Sequence, residues 1–266
     1  MPYLSPALNV MTTAARKAGR GLIRDFGEIE NLQVSMKGPA DFVSTADERT
    51  ERILIHELSK ARPGYNFLVE ETGVIEGPDK THRFIIDPLD GTTNFLHGLP
   101  HFAISIALER ERQLVSAVVY NPVTDEMFTA EKSHGAYLHN KRLRVAARSS
   151  LNEALIATGI PFRGRPGHEQ FLEELPPIMD STSGVRRLGS AALDLAWVAA
   201  GRFDAFWERG LAPWDVAAGM LLVREAGGVV SDLAGGERAL QTGDILVANE
   251  KLHPQLLKLF RARRGG

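Results

Sequence analysis

The run Arg83-Phe84-Ile85-Ile86-Asp87-Pro88-Leu89-Asp90-Gly91-Thr92-Thr93-Asn94-Phe95 limits what this chain can become more than any other stretch. It begins apolar and ends in acids, glycine and hydroxyls. Phe84, Ile85 and Ile86 are aromatic or β-branched, which suits a buried strand. Pro88 has no N–H to donate to a sheet, so the strand is expected to stop at Asp87 and present that carboxylate at its end. Asp90 then reads as a helix N-cap, with Gly91, Thr92 and Thr93 in the first turn. Two carboxylates three residues apart are thereby held beside free backbone N–H groups. Hard cations take oxygen ligands of this kind, and phosphate takes a helix start. The stretch predicts a site for metal and phosphate.

The flanking sequence supplies the frame. Pro6 to Phe26 places Leu8, Met11, Ala15, Ala18, Leu22 and Phe26 at helical spacing. Thr45 followed by Glu48 reads as a capping box that opens a helix running to about Ala61. Asn66 to Val69 is a short strand ending on Glu70-Glu71. Beyond the acidic stretch, Phe102–Leu108, Leu114–Tyr120, Asp125–Ala130 and Gly135–Leu143 read as strands and hairpins. In the second half, Ala154–Thr158, Gly184–Leu188, Phe203–Trp207, Val229–Ser231 and Ile245–Ala248 read as strands. They are interleaved with helices from His168, from Gly189-Ser190-Ala191, from Pro213 and from Asn249. Strands at such short intervals imply mostly antiparallel sheets, not a doubly wound fold. The expected class is α/β in the broad, α+β sense. One domain over 1–266 is expected, its halves 1–150 carrying the metal core and 151–266 the substrate side.

Charge and cysteine content close off several classes. With 31 basic and 33 acidic residues the formal charge is −2, so strong direct binding to nucleic acid is not expected. There are no cysteines, which excludes disulfides, thiolate metal ligands and a cysteine nucleophile. The first residues lack the long apolar core of a secretory signal, and no run reaches membrane-spanning length. A cytoplasmic protein without membrane contact is expected.

Several residue sets together carry a resemblance. Glu70-Glu71, Asp87-Pro88-Leu89-Asp90-Gly91-Thr92-Thr93-Asn94-Phe95, Trp214-Asp215-Val216-Ala217-Ala218-Gly219 and Glu225-Ala226-Gly227-Gly228 resemble, in order and spacing, the inositol monophosphatase family. Ser190-Ala191-Ala192-Leu193-Asp194 and Gly210 to Asp215 are similar to its bacterial SuhB-like branch. The resemblance implies a layered αβαβα sandwich, magnesium dependence with two or three ions, lithium sensitivity and a homodimer. It implies that Glu70, Asp87 and the Leu89 carbonyl bind one Mg2+, and that Asp87, Asp90 and Asp215 bind a second. It places Thr92 with Asp47 and Glu70 around an attacking water. Asp90, Gly91, Thr92, Arg186, Gly189, Ser190, Ala191, Glu208 and Asp215 are implied to meet the substrate, a small phosphorylated polyol. Lys37 is implied to help a further ion. Asp194 reads as a structural acid.

The chemistry has its own logic. A phosphate monoester dianion repels nucleophiles, and its uncatalysed hydrolysis is among the slowest reactions known. Divalent cations remove both obstacles, and they need carboxylates and carbonyls and no soft ligands. The resemblance makes inositol 1-phosphate the expected substrate. The same core would also serve fructose-1,6-bisphosphate, phosphoadenosine phosphate or histidinol phosphate, since it handles the phosphate and not the alcohol. A binding role in the transcription machinery, as in some SuhB-like proteins, is the alternative from another class.

Overall fold

The structure, a computed structural model, describes residues 5–28, 34–38 and 41–261, with the backbone alone for 34–38 and 41–43. The side chain of Lys37, the residue Pro39 and the tail 262–266 therefore lie outside the described residues. The first half runs α1 (Pro6–Phe26), β1 (Val34–Gly38), β2 (Asp41–Ser44), α2 (Thr45–Ala61), β3 (Asn66–Val69), β4 (Gly73–Ile75), β5 (His82–Asp90), α3 (Thr92–Leu96), β6 (Ala103–Arg110), β7 (Gln113–Asn121), β8 (Glu126–Glu131), β9 (Gly135–Leu138) and β10 (Lys141–Arg142). The second runs β11 (Leu155–Thr158), α4 (His168–Ser181), β12 (Gly184–Arg186), α5 (Ala191–Ala199), β13 (Ala205–Glu208), α6 (Pro213–Glu225), β14 (Val229–Ser231), α7 (Ala239–Thr242), β15 (Ile245–Ala248) and α8 (Leu252–Arg261).

Each strand that reads as a continuous apolar run is buried on both faces, and this builds the layers. In β5, Phe84 and Ile86 face α1 and α2, packing with Met11, Leu22, Leu54 and Leu58. Ile85, one residue out of phase, faces α5 and α6 and packs with Leu193, Leu195, Val216 and Leu222. The far side of the same helices packs on Phe206 and Val247 of the second sheet. Their neighbours Trp207 and Leu246 face α4 and α8 through Phe171, Ile178, Leu256 and Phe260. Helices, sheet, helices, sheet, helices: this is the αβαβα sandwich. α5 and α6 lie in its middle, which is why they are apolar nearly all round.

The first sheet has eight strands in the order β10-β9-β8-β7-β6-β5-β3-β4, and the second has five in the order β12-β11-β13-β15-β14. Pairing is antiparallel except for β3 with β5, and β11 with β12 and β13. The second sheet is thus mixed where a mostly antiparallel one was expected.

Two local expectations are corrected. β5 does not stop at Asp87 but continues to Asp90, because Asp87 pairs with Ser105 and Asp90 with Ala103 across a bulge. Pro88 sits in that bulge, where a missing donor costs no ladder bond. The helix cap of α2 lies one residue earlier than Thr45–Glu48. Ser44 is the N-cap, and Asp47 completes the capping box by accepting from the Ser44 N–H at 2.9 Å and Oγ at 2.6 Å.

Candidate active site

Topology gathers the acids. Val69 pairs with Ile86 in the parallel β3–β5 ladder, so Glu70 and Asp87 leave adjacent strand ends side by side. The turn after Glu70 is fixed from behind by Glu51 of α2. Its carboxylate accepts from the N–H of Glu71 at 2.9 Å and of Thr72 at 3.1 Å. In the bulge, the Asp87 Oδ1 accepts from the Leu89 N–H at 2.9 Å, which bends the chain and aims the Leu89 carbonyl at Thr92. Ser105, the pairing partner of Asp87, donates to the Trp214 carbonyl at 3.2 Å. That bond sets the start of α6 against the first sheet. There Asp215 caps its own helix by accepting from the Ala212 N–H at 2.7 Å.

Asp90 does not cap α3. Gly91, at φ +98°, occupies that place, and a Cβ there would press within 3.3 Å of the Gly189 carbonyl and Phe102. Asp90 instead reaches across to α5, where its Oδ2 accepts from Ser190 Oγ at 2.6 Å and the Ala192 N–H at 2.7 Å. Asn94 makes a second bridge, donating to the His101 and Leu188 carbonyls at 2.7 and 2.8 Å. These bonds hold the Gly189-Ser190-Ala191 turn against the acidic stretch.

The result is one cavity of about 250 Å³ lined by Glu70, Asp87, Leu89, Asp90, Gly91, Thr92, Gly189, Ser190, Ala191, Glu208 and Asp215. Asp47 stands directly behind it. Thr92 Oγ1 lies 3.0 Å from Asp47 Oδ1 and 3.0 Å from the Leu89 carbonyl, both acceptors. Arg186 is the expected site residue that falls elsewhere. It is exposed and donates to the carbonyl of Val185, because the last residue of β12 turns its side chain away. Arg187 lines the cavity instead, together with Arg165, Phe162 and Asp194. The stretch Pro161 to Gly167 carries no periodic signal that could have flagged Arg165. Asp194, expected as a structural acid, stands in the cavity wall.

Electrostatics follow from this crowding. Burial, then the charges of Glu70, Asp90 and Asp215, push the Asp87 carboxyl well above its usual range. Burial and the Asp90 charge do the same to Asp215. Asp90 rises to about 6, desolvation outweighing its bonds from Ser190 and Ala192. Desolvation and Asp90 raise Glu208 to about 7. Burial also raises Asp47. Among the described residues, no three acidic or imidazole side chains are already drawn together as a coordination sphere. The fit to a cation rests on the donors. They are carboxylates and a carbonyl with no soft atom, from three chain segments, and the carboxylates Asp87, Asp90 and Asp215 are raised by burial and mutual repulsion. A hard divalent ion matches that set.

Comparison with known proteins agrees with the geometry. The inositol monophosphatase family model matches residues 4–264. The chain belongs to the inositol monophosphatase family. It is 60% identical over 257 residues to the inositol-1-monophosphatase of Mesorhizobium japonicum, covering 97% of each chain. It is 45% identical to the Nus factor SuhB of Pseudomonas aeruginosa, over 96% of this chain and 95% of that one. The crystal structure of the extragenic suppressor protein suhB from Bartonella henselae superposes with a TM-score of 0.95 at 54% identity, covering 97% of this chain and all of the other. Inositol monophosphatases are generally metal-dependent. Among the described residues no helix is long and apolar enough to cross a membrane.

Proposed function

We propose that this protein hydrolyses inositol 1-phosphate to myo-inositol and phosphate, using Mg2+ and direct attack by water. The carrying observation is the convergence of Glu70, Asp87, Asp90, Asp215 and the Leu89 carbonyl on one cavity with the Thr92–Asp47 pair behind it. Its 60% identity to an inositol-1-monophosphatase supports the choice of ester.

Those five groups would hold two ions, with a third as a further expectation. Bound there, divalent cations supply positive charge to the phosphate and the leaving alkoxide and lower the pKa of a water. The protein's own groups do the rest. Thr92 accepts a hydrogen bond from the attacking water while its hydroxyl proton points to Asp47. The water's proton passes to Thr92 as that of Thr92 passes to Asp47. Burial makes Asp47 a stronger base than an exposed aspartate, which suits it to the end of this relay. The N–H groups of Gly91 and Thr92 face the phosphate oxygens. Glu208 and the turn Gly189-Ser190-Ala191 face the polyol. Ser190 Oγ already donates to Asp90, which leaves it a positioning role and not that of a nucleophile.

A panel of phosphate esters with magnesium tests this reading. Inositol 1-phosphate should be the best substrate. Preference for a nucleotide, hexose bisphosphate or histidinol phosphate by orders of magnitude would overturn it. The likeness to a Nus factor carries a second, compatible reading, a protein partner in the transcription machinery. Co-migration with a reconstituted transcription complex is its check. The homodimer and lithium sensitivity implied by the family are read by light scattering and by millimolar lithium in the same assay.

A further inference from the structure

The cavity holds an acid for which neither the metals nor the water relay has a use. Asp194 lies in the first turn of α5, is 1% exposed, and lines the cavity wall. Its Oδ1 is buried with no hydrogen-bond partner. An acid in a first helical turn usually answers to the helix start, but here that task is already done. Ser190 Oγ accepts from the Leu193 N–H at 3.4 Å, and Asp90 accepts from the Ala192 N–H at 2.7 Å. Such acids also stay in water, where the dipole term is gained without desolvation, and Asp194 does not. Burial and the charges of Glu208 and Asp90 work against its anion, with Arg187 the one compensating charge. A buried carboxylate oxygen without a donor is more costly than a hydrogen bond never made. Asp194 lines the cavity, so a ligand hydroxyl there can supply the donor that the fold does not.

The geometry of the wall says which part of the ligand that is. α5 packs on β13, and β13 ends at Glu208. Asp194 and Glu208 thus share one part of the wall, with the charge of Asp90 acting on both and Arg187 compensating both. On that side the lining offers two carboxylates with Arg165 and Arg187, the composition expected around a group with several hydroxyls.

We propose that Asp194 is a specificity-determining residue that binds a hydroxyl of the leaving polyol, a different hydroxyl from the one Glu208 binds. It rests on the hydrolase reading above and adds to it a second point of recognition. One acid can fix a hydroxyl but leaves a ring free to turn about that bond; two fix the ring's rotation. The substrate class is then a phosphate ester of a cyclic polyol with two hydroxyls suitably spaced, and open-chain or aryl phosphates are discriminated against.

The test compares Asp194→Asn and Asp194→Leu with the unmodified protein on two esters, inositol 1-phosphate and 4-nitrophenyl phosphate, with magnesium. The expected loss in kcat/KM on the inositol ester exceeds the loss on the aryl ester by about tenfold or more for Asn, and further for Leu. The inhibition constant of myo-inositol should rise in parallel, while that of inorganic phosphate should not. Equal losses on both esters would mean a structural acid and overturn the proposal while leaving the hydrolase reading in place. If the unmodified protein hydrolyses neither ester, both fall together. Should the variants fail to fold, inositol 1-phosphates lacking single hydroxyls answer the question on the unmodified protein. Two different hydroxyls should each be worth about tenfold; only one such position would overturn the proposal.

Discussion

Gly159 has no left-handed φ, so alanine is conformationally acceptable there, yet a Cβ would land 2.0 Å from the carboxyl carbon and one oxygen of Glu208. Glu208 ends β13 beside β11, whose last residue, Thr158, pairs with Trp207 and donates to its carbonyl at 2.8 Å. The backbones cannot part without breaking that ladder, so the Glu208 side chain has to give way. Ordinary contact begins at 3.4 Å, so the carboxylate must retreat by roughly 1.4 Å, and a misplacement of about 1 Å can cost on the order of 100-fold in turnover. Gly159→Ala is therefore expected to lower kcat/KM on inositol 1-phosphate by about 30- to 100-fold. The melting temperature should change little, since neither core layer nor backbone strain is involved. Steady-state kinetics with a thermal melt on the same preparation reads both. Activity within about twofold of the unmodified protein would refute the reasoning, because it would mean that the position of Glu208 does not matter.

Other outcomes follow from the same geometry. Thr92→Val keeps shape but removes the hydroxyl between the water and Asp47; a fall in kcat of about 100-fold or more is expected, and a fall in KM alone would contradict the relay. The acid cluster gives a pH signature to the metal-free protein. Asp90 titrates at about 6 against an ordinary 3.8, and Glu208 at about 7 against 4.5, so protonation favours the folded state. That contribution is complete below the ordinary carboxylate range and is lost as pH rises through about 6 and 7. After chelation, the melting temperature should drop from about pH 5 to about pH 8, and magnesium at the higher pH should restore it. A flat profile indifferent to magnesium would count against the carboxylate site. Phe84→Ala, in the layer under α1 and α2, should cost about 3–5 kcal/mol in chemical denaturation.

The sequence carried the local half of this account. Phe84 to Ile86 announced a buried strand, and the spacing of Asp87, Asp90 and Thr92 announced oxygen ligands beside a helix start. Which partners those groups would take was not local. Pro88 reads as a strand end because a lone strand has no bulge; the partner β6 creates one. Asp90 reads as the cap of the nearest helix because the helix it does cap, α5, begins 100 residues away. Glu70 comes beside Asp87 only through the parallel register of β3 with β5, and no pattern in either strand encodes that pairing. Arg186 and Arg187 are indistinguishable in sequence, and the last turn of β12 decides between them. Asp194 looks like any first-turn acid until its burial is known. The motifs stood out where chemistry is concentrated in a short run, and stayed silent where the site is assembled from single residues.

The central claim is that this ring of carboxylates holds divalent cations in order to hydrolyse a phosphate ester. The most direct measurement is phosphate release from inositol 1-phosphate by purified protein, after chelation and again after magnesium is returned, alongside Asp90→Asn. The account predicts no release without the metal, full recovery with it, and near-complete loss in the variant under both conditions. Release that survives chelation, or an Asp90→Asn protein that turns over at the normal rate with magnesium, would contradict it.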